Sequence, residues 1–202
     1  MGSSESSGYG FNEETGDLKW SFNLPGGPFG PPAIAGNILV VAQSDNKLVA
    51  INGDTGQVAE GWENNFNVLD GINGNLAAYR DSVLFFTGRN ELVSLSVTTR
   101  KYDWRRALTQ VPPNALPVVF GEDVFTVSGG YLIQINAGSG IPRWQVPTGQ
   151  VVNMAPTVSA AGAMVVSQDG KVLVYDPITR QAVTKKPIEL GTLAIARATS
   201  GL

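Results

Sequence analysis

Apolar residues in this chain come in short runs bounded by Gly, Asn, Asp, Ser and Pro, not in long helical stripes. Four kinds of run follow one another in a fixed order. The first follows a Pro or a polar loop: Pro32–Ala35, Leu76–Tyr79, Pro117–Phe120 and Pro156–Ser159. After a tight turn comes the most apolar run: Ile38–Ala42, Val83–Phe86, Val124–Val127 and Met164–Val166. A hairpin tip (Ser44–Asn46, Gly88–Asn90, Ser128–Gly130, Gln168–Gly170) leads to a third run, and a fourth ends near a Trp. Runs this short, rich in Val, Ile and aromatics, predict strands. Gly, Asn and Asp at the turns supply the positive φ that tight hairpins need. The pattern predicts no amphipathic helix.

The runs form a repeat. Five segments align without gaps: Tyr9–Asp17, Val49–Gln57, Val93–Lys101, Ile133–Ile141 and Leu173–Gln181. Their anchors Gly16, Gly56, Arg100, Gly140 and Arg180 are spaced 40, 44, 40 and 40. A Trp stands four residues after three anchors (Trp20, Trp104, Trp144), is displaced by two to Trp62 after Gly56, and gives way to Thr184 after Arg180. Four antiparallel strands repeated every forty or so residues predict an all-β fold, a β-propeller of four-stranded antiparallel blades. The second strand, apolar on both faces, suits a sheet covered on each side by a neighbour. The repeats occupy about 9–24, 31–66, 75–108, 115–148 and 155–188, with a partial strand at 191–198. Residues 9–24 supply only a third and a fourth strand. Two arrangements follow: four complete blades plus a composite fifth built from both ends, or part of a larger ring, completed for instance by a second copy. Residues 1–8 are expected to form a flexible tail ahead of a propeller domain over 9–202.

Composition narrows the chemistry. The 202 residues include no His and no Cys, so there is no imidazole base, no Ser-His-Asp triad, no thiolate nucleophile, no disulfide and no His- or Cys-ligated metal. Net charge is −3, from 14 Lys+Arg and 17 Asp+Glu, and charged residues make up 15%, which gives no broad field for nucleic acid. Arg100-Lys101, Arg105-Arg106 and Lys185-Lys186 read as solvated strand ends. The longest aliphatic run, Ile38–Ala42, is far below the ~20 residues of a spanning helix, so no membrane insertion is expected. No carboxylate pair has a spacing that argues acid–base catalysis. Asp70, Asn73 and Asn75 form the one cluster suggestive of calcium, and a Gly-rich turn accounts for it.

The aligned motif resembles the pyrroloquinoline quinone (PQQ)-type propeller repeat. The residues that carry the likeness are Gly10, Asn12, Thr15, Gly16 and Trp20, with close copies at Gln134–Trp144 and Ala50–Gly56. The copies at Ser94–Arg100 and Val174–Arg180 lose the Gly. The resemblance implies that Trp20, Trp62, Trp104 and Trp144 dock each blade on its neighbour, which makes them structural. It also raises PQQ- and calcium-dependent dehydrogenases, but the chain is about a third of their length and lacks the cysteines many of them carry. The likeness is nearer to the non-enzymatic outer-membrane assembly lipoprotein propellers. A non-catalytic scaffold binding other proteins, with no cofactor and no metal, is therefore expected, in the periplasm or outside the cell. The alternatives are a dehydrogenase fragment and a structural subunit of an extracellular or viral particle.

One end of the blades is the expected contact face. In a four-stranded blade the inter-blade loops and the second hairpin tips share an end. Those loops, Leu24–Gly30, Phe66–Gly74, Thr109–Leu116 and Pro147–Met154, carry Phe29, Phe66, Val68, Leu69, Val111, Val151 and Met154. Arg89, Tyr131 and Asp169 lie on the neighbouring tips as a polar and aromatic rim. The same apolar residues could instead tuck beneath the loops.

Overall fold

The computed structural model describes residues 7–24, 26–112, 115–149, 151–179, 181, 183 and 188–189. The chain divides into two compact units, Met1–Ala107 and Leu108–Leu202.

In the first unit, β1 (Ser7–Phe11) pairs with β2 (Leu18–Asn23) as a two-stranded sheet. Ser7 and Gly8 lie opposite Asn23 and Phe22, so the expected tail at 1–8 gives way to strand from Ser7 onward, and residues 1–6 lie outside the described residues. Next comes β3 (Ala33–Ala35), β4 (Ile38–Ala42), β5 (Lys47–Asn52) and β6 (Phe66–Asn67), antiparallel in that order. The third sheet is β7 (Ile72–Tyr79), β8 (Ser82–Thr87), β9 (Glu91–Ser96) and β10 (Tyr102–Ala107). In the second unit, β11 (Val118–Phe120), β12 (Asp123–Ser128), β13 (Tyr131–Asn136) and β14 (Pro142–Pro147) form one sheet. Its companion is β15 (Thr157–Ser159), β16 (Gly162–Val166), β17 (Lys171–Tyr175) and β18 (Ile188–Glu189). The expected strand at 191–198 falls outside the described residues, as do Arg180, Thr184 and Lys185-Lys186.

Second strands with apolar residues on both faces are buried on both faces; β8 has no exposed residue. Alternate residues of β4 and β5 serve different neighbours. Val41, Val49 and Ile51 pack with Phe22 and Leu24 beside β2. Val40, Ala42, Leu48 and Ala50 pack with Val83, Phe85, Val93 and Leu95. The second unit repeats this: Phe125, Val127 and Leu132 meet Ala163, Val165, Leu173 and Tyr175. Each such side chain taken out of water stabilises the stack by roughly 1.5–3 kcal/mol.

The turn between third and fourth strands is the same at every repeat. Asn12, Asn52, Asn136 and Asp176 each accept amide hydrogen bonds two or three residues on, at 2.7–3.1 Å, and Ser96 Oγ accepts one from Thr99 N at 3.2 Å in the third sheet. Short polar side chains end the strand because they satisfy these turn amides. Arg100 keeps the turn with a left-handed φ of 54°, where its relatives Gly16, Gly56 and Gly140 have 75°, 69° and 68°.

Trp20, Trp104 and Trp144 each stand inside a fourth strand, not at its end, and a pairing irregularity occurs beside each. A bulge of this kind turns a side chain out of the regular pleat. Trp62 differs. The four extra residues between Gly56 and Arg100 interrupt the fourth strand: Val58 bridges Ile51, Ala59 N still donates to Ala50 O, residues 60–65 leave the ladder, and pairing resumes only at Phe66–Asn67.

Candidate partner-binding surface

The inter-blade loops are tied to hairpin tips by backbone hydrogen bonds in each four-stranded sheet. Ser44 N donates to Gly27 O at 3.2 Å, Gly88 N to Asp70 O at 3.0 Å, Gly129 N to Gln110 O at 3.3 Å and Gln168 N to Val151 O at 2.7 Å. The outgoing loops return to the same tips, Val68 N donating to Asn46 O and Thr148 N to Gly130 O. Loops and tips therefore share an end within each unit.

These ties decide which apolar residues face out. Leu69 is 90% exposed and Val151 61%, while Phe29 and Tyr131 are exposed at 39% and 40%. Val68 and Val111 are buried, and Met154 is half-buried. Phe66 lies in β6, its ring 6.3 Å from Trp62 and 5.7 Å edge-on from Tyr102, so it belongs to the core layer and not to the exposed loop. In the second unit, Gln110, Pro112, Gly129, Gly130, Val151 and Val152 surround a recess of about 200 Å³.

Charge is ordered at the same end. Asp70 receives Arg89 Nε at 2.9 Å and Arg105 Nη2 at 2.6 Å, and Arg105 also reaches Glu91 and lies 5.0 Å over the Tyr102 ring. Arg105 is thus engaged where the sequence suggested a solvated strand end. The hydrogen bond from Arg105, then the charges of Arg89 and Arg105, hold the Asp70 carboxyl below its ordinary range. A carboxylate already bound by two guanidinium groups does not fit a calcium site, so neither calcium nor a calcium-bound quinone has a seat at Asp70–Asn75. Asp169 is held by Lys171 at 2.7 Å and Ser167 Oγ at 2.5 Å.

The opposite end holds the Trp seats. Trp20 Nε1 donates to Gly53 O at 2.9 Å, Trp62 Nε1 to Val97 O at 2.8 Å and Trp144 Nε1 to Pro177 O at 3.0 Å. Each acceptor is the residue just after the Asn, Ser or Asp that ends the next sheet's third strand. A recess of about 580 Å³, lined by Ile38, Asn52, Glu60, Trp62, Val97 and Thr98, lies beside the inserted loop. Its one titratable group is Glu60, so it offers no acid–base pair.

The family described as outer membrane protein assembly factor BamB matches residues 3–110 and again 59–194. The chain belongs to this family. Among solved structures it is similar to BamB from Moraxella catarrhalis, with TM-score 0.74 and 17% identity over 91% of this chain and 56% of that one. It is also similar to a chain of the mitotic checkpoint complex, with TM-score 0.72 and 10% identity over 93% of this chain and 60% of that one. No curated protein matches it in sequence. These likenesses establish the β-propeller fold, and the chain spans 56–60% of the length of the two structures. Within the BamB family repeat, Arg100 replaces the turn Gly, as the sequence shows, but its guanidinium is not the solvated strand end expected: it reaches Gly61 O and, at 2.8 Å, Asn64 O, in the loop inserted one repeat earlier. The coincidence of a lost Gly with a four-residue insertion in the preceding repeat was the available signal.

Proposed function

We propose that this chain is a non-catalytic propeller scaffold that binds protein partners in bacterial outer-membrane protein assembly, on the periplasmic side, through the loop-and-tip ends of its individual sheets. The observation that carries the reading is the BamB family match, which runs twice and together spans residues 3–194. The exposure of Leu69 and Val151 between ordered polar neighbours supports the choice of end. Exposed apolar side chains on loops held by backbone hydrogen bonds make a preorganised contact, and such contacts lose little entropy on binding. The absence of His and Cys from the sequence, and the engagement of Asp70 by two arginines, support a role without chemistry.

The test is capture of purified outer-membrane assembly machinery by immobilised chain, compared with Leu69→Asp and Val151→Asp. Both sites are exposed, so melting temperatures should stay within about 2 °C, as surface substitutions usually do. Capture should fall at least tenfold in one variant or both. Undiminished capture in both, or none by the parent chain, refutes this reading.

A further inference from the structure

The loop inserted after Val58 walls the recess of about 580 Å³ in the first unit. Every residue lining it lies in sheets β3–β6 and β7–β10 or in that loop. Its apolar part is Ile38 at the start of β4, Ala59 and Trp62 in the loop, and Val97 just after β9. Ala59 and Val97 are buried, and the Trp62 indole N–H is spent on Val97 O at 2.8 Å. Its polar part is Asn52, Glu60 and Thr98. A recess of this size, with an apolar lining and a few convergent polar groups, has the make-up of a small-ligand site.

Those polar groups are unspent. Asn52 uses its Oδ1 on the amides of Asp54 and Thr55, which leaves the two hydrogens of Nδ2. The Glu60 carboxylate and the Thr98 hydroxyl have no partner among the described residues. Arg100, the cation that holds the loop, is committed elsewhere. Its guanidinium goes to Gly61 O and Asn64 O. Its charge also helps to hold the Glu63 carboxyl below its ordinary range, after the backbone amides of Glu63 and Gly61. Glu60 therefore brings to the recess an exposed carboxylate that no described cation answers.

We propose that this recess is a binding site for an arginine side chain together with the peptide groups that carry it. The aliphatic stem would cover Ile38 and Val97, and the guanidinium would take Glu60 in the planar two-bond pairing that a carboxylate offers. Asn52 Nδ2 and Thr98 Oγ1 would serve the flanking peptide carbonyl and amide. Charge selects the cation, and the volume leaves room for the peptide groups beside the side chain. The site is at the opposite end of its sheets from Leu69, so it does not rest on the contact surface proposed above.

The test is an amide NMR titration of the full chain with N-acetylargininamide. Its uncharged isostere N-acetylcitrullinamide and the bare cation butylguanidinium serve as comparisons. The expected result is saturable shifts confined to residues 52, 59–62 and 97–98, at about millimolar strength. The citrulline amide should bind at least tenfold more weakly, as should the arginine amide to Glu60→Gln, because each change removes a charged hydrogen bond. Glu60 is exposed, so its variant keeps the fold. Absence of saturable shifts, equal binding of the citrulline amide, or undiminished binding by Glu60→Gln overturns the proposal. Equal binding of butylguanidinium also overturns it, because the site would then read a free cation and not a peptide residue. Leu69→Asp should bind the arginine amide as the parent chain does, whatever becomes of partner capture.

Discussion

At the residue scale the sequence is most legible where one side chain answers one backbone need. Asn12, Asn52, Asn136 and Asp176 end third strands and bond turn amides, as their type and position imply. Arg105 and Asp70 were not legible, because they are 35 residues apart and meet only once a loop is tied to Gly88. Their pairing gives a pH prediction. Asp70 is depressed in the folded state, first by the Arg105 hydrogen bond, so its contribution is complete above the ordinary carboxylate value of 3.8 and drains away as pH falls through the lower folded value. Asp70→Asn should therefore lower the denaturant midpoint at about pH 7, and the gap to the parent chain should narrow as the pH is taken below 3.8. A gap that stays constant between those limits would remove the ion pair as its cause.

At the element scale the repeat period predicted four-stranded sheets, and the described residues form them with the expected first three strands. The fourth strand of the second repeat was the hard case. A spacing of 44 in place of 40 announces an insertion but not where the ladder breaks, and the break at 60–65 moves Phe66 from a loop into the sheet. Phe66 and Val111 looked like contact residues because an apolar side chain in a loop can turn either way. Backbone ties to the tips, invisible in sequence, decide the direction. Arg100 holds the break. A non-Gly residue at φ 54° costs about 1–3 kcal/mol. Two charged hydrogen bonds to Gly61 O and Asn64 O, and the 5.4 Å approach to the Trp62 ring, offset it by a similar amount. Arg100→Gly should thus change global stability by less than about 1 kcal/mol, because the two effects nearly cancel. Amide exchange over 61–65 should nevertheless quicken at least tenfold. Unchanged exchange there would show that the loop holds itself.

At the scale of the whole molecule, stability should be local. Each sheet buries its faces against its sequence neighbours within a unit, as in repeat proteins, where stability is approximately a sum of nearest-neighbour terms. Trp144 tests this. It is 8% exposed, lies 6.2 Å edge-on from Phe125, and donates to Pro177 O at 3.0 Å. Trp144→Ala removes that layer and should cost about 3–5 kcal/mol by denaturant melt. Trp144→Phe keeps most of the apolar area but loses the indole N–H, and should cost less than the Ala variant. If stability is local, hydrogen exchange in Trp144→Ala should quicken in β12, β13, β16 and β17, whose side chains share its cluster. The amides of β4 and β5, buried in the other unit by Val40, Val41, Leu48 and Ile51, should keep their protection. Equal loss of protection in β4 and β5 would mean that the chain opens as one cooperative body.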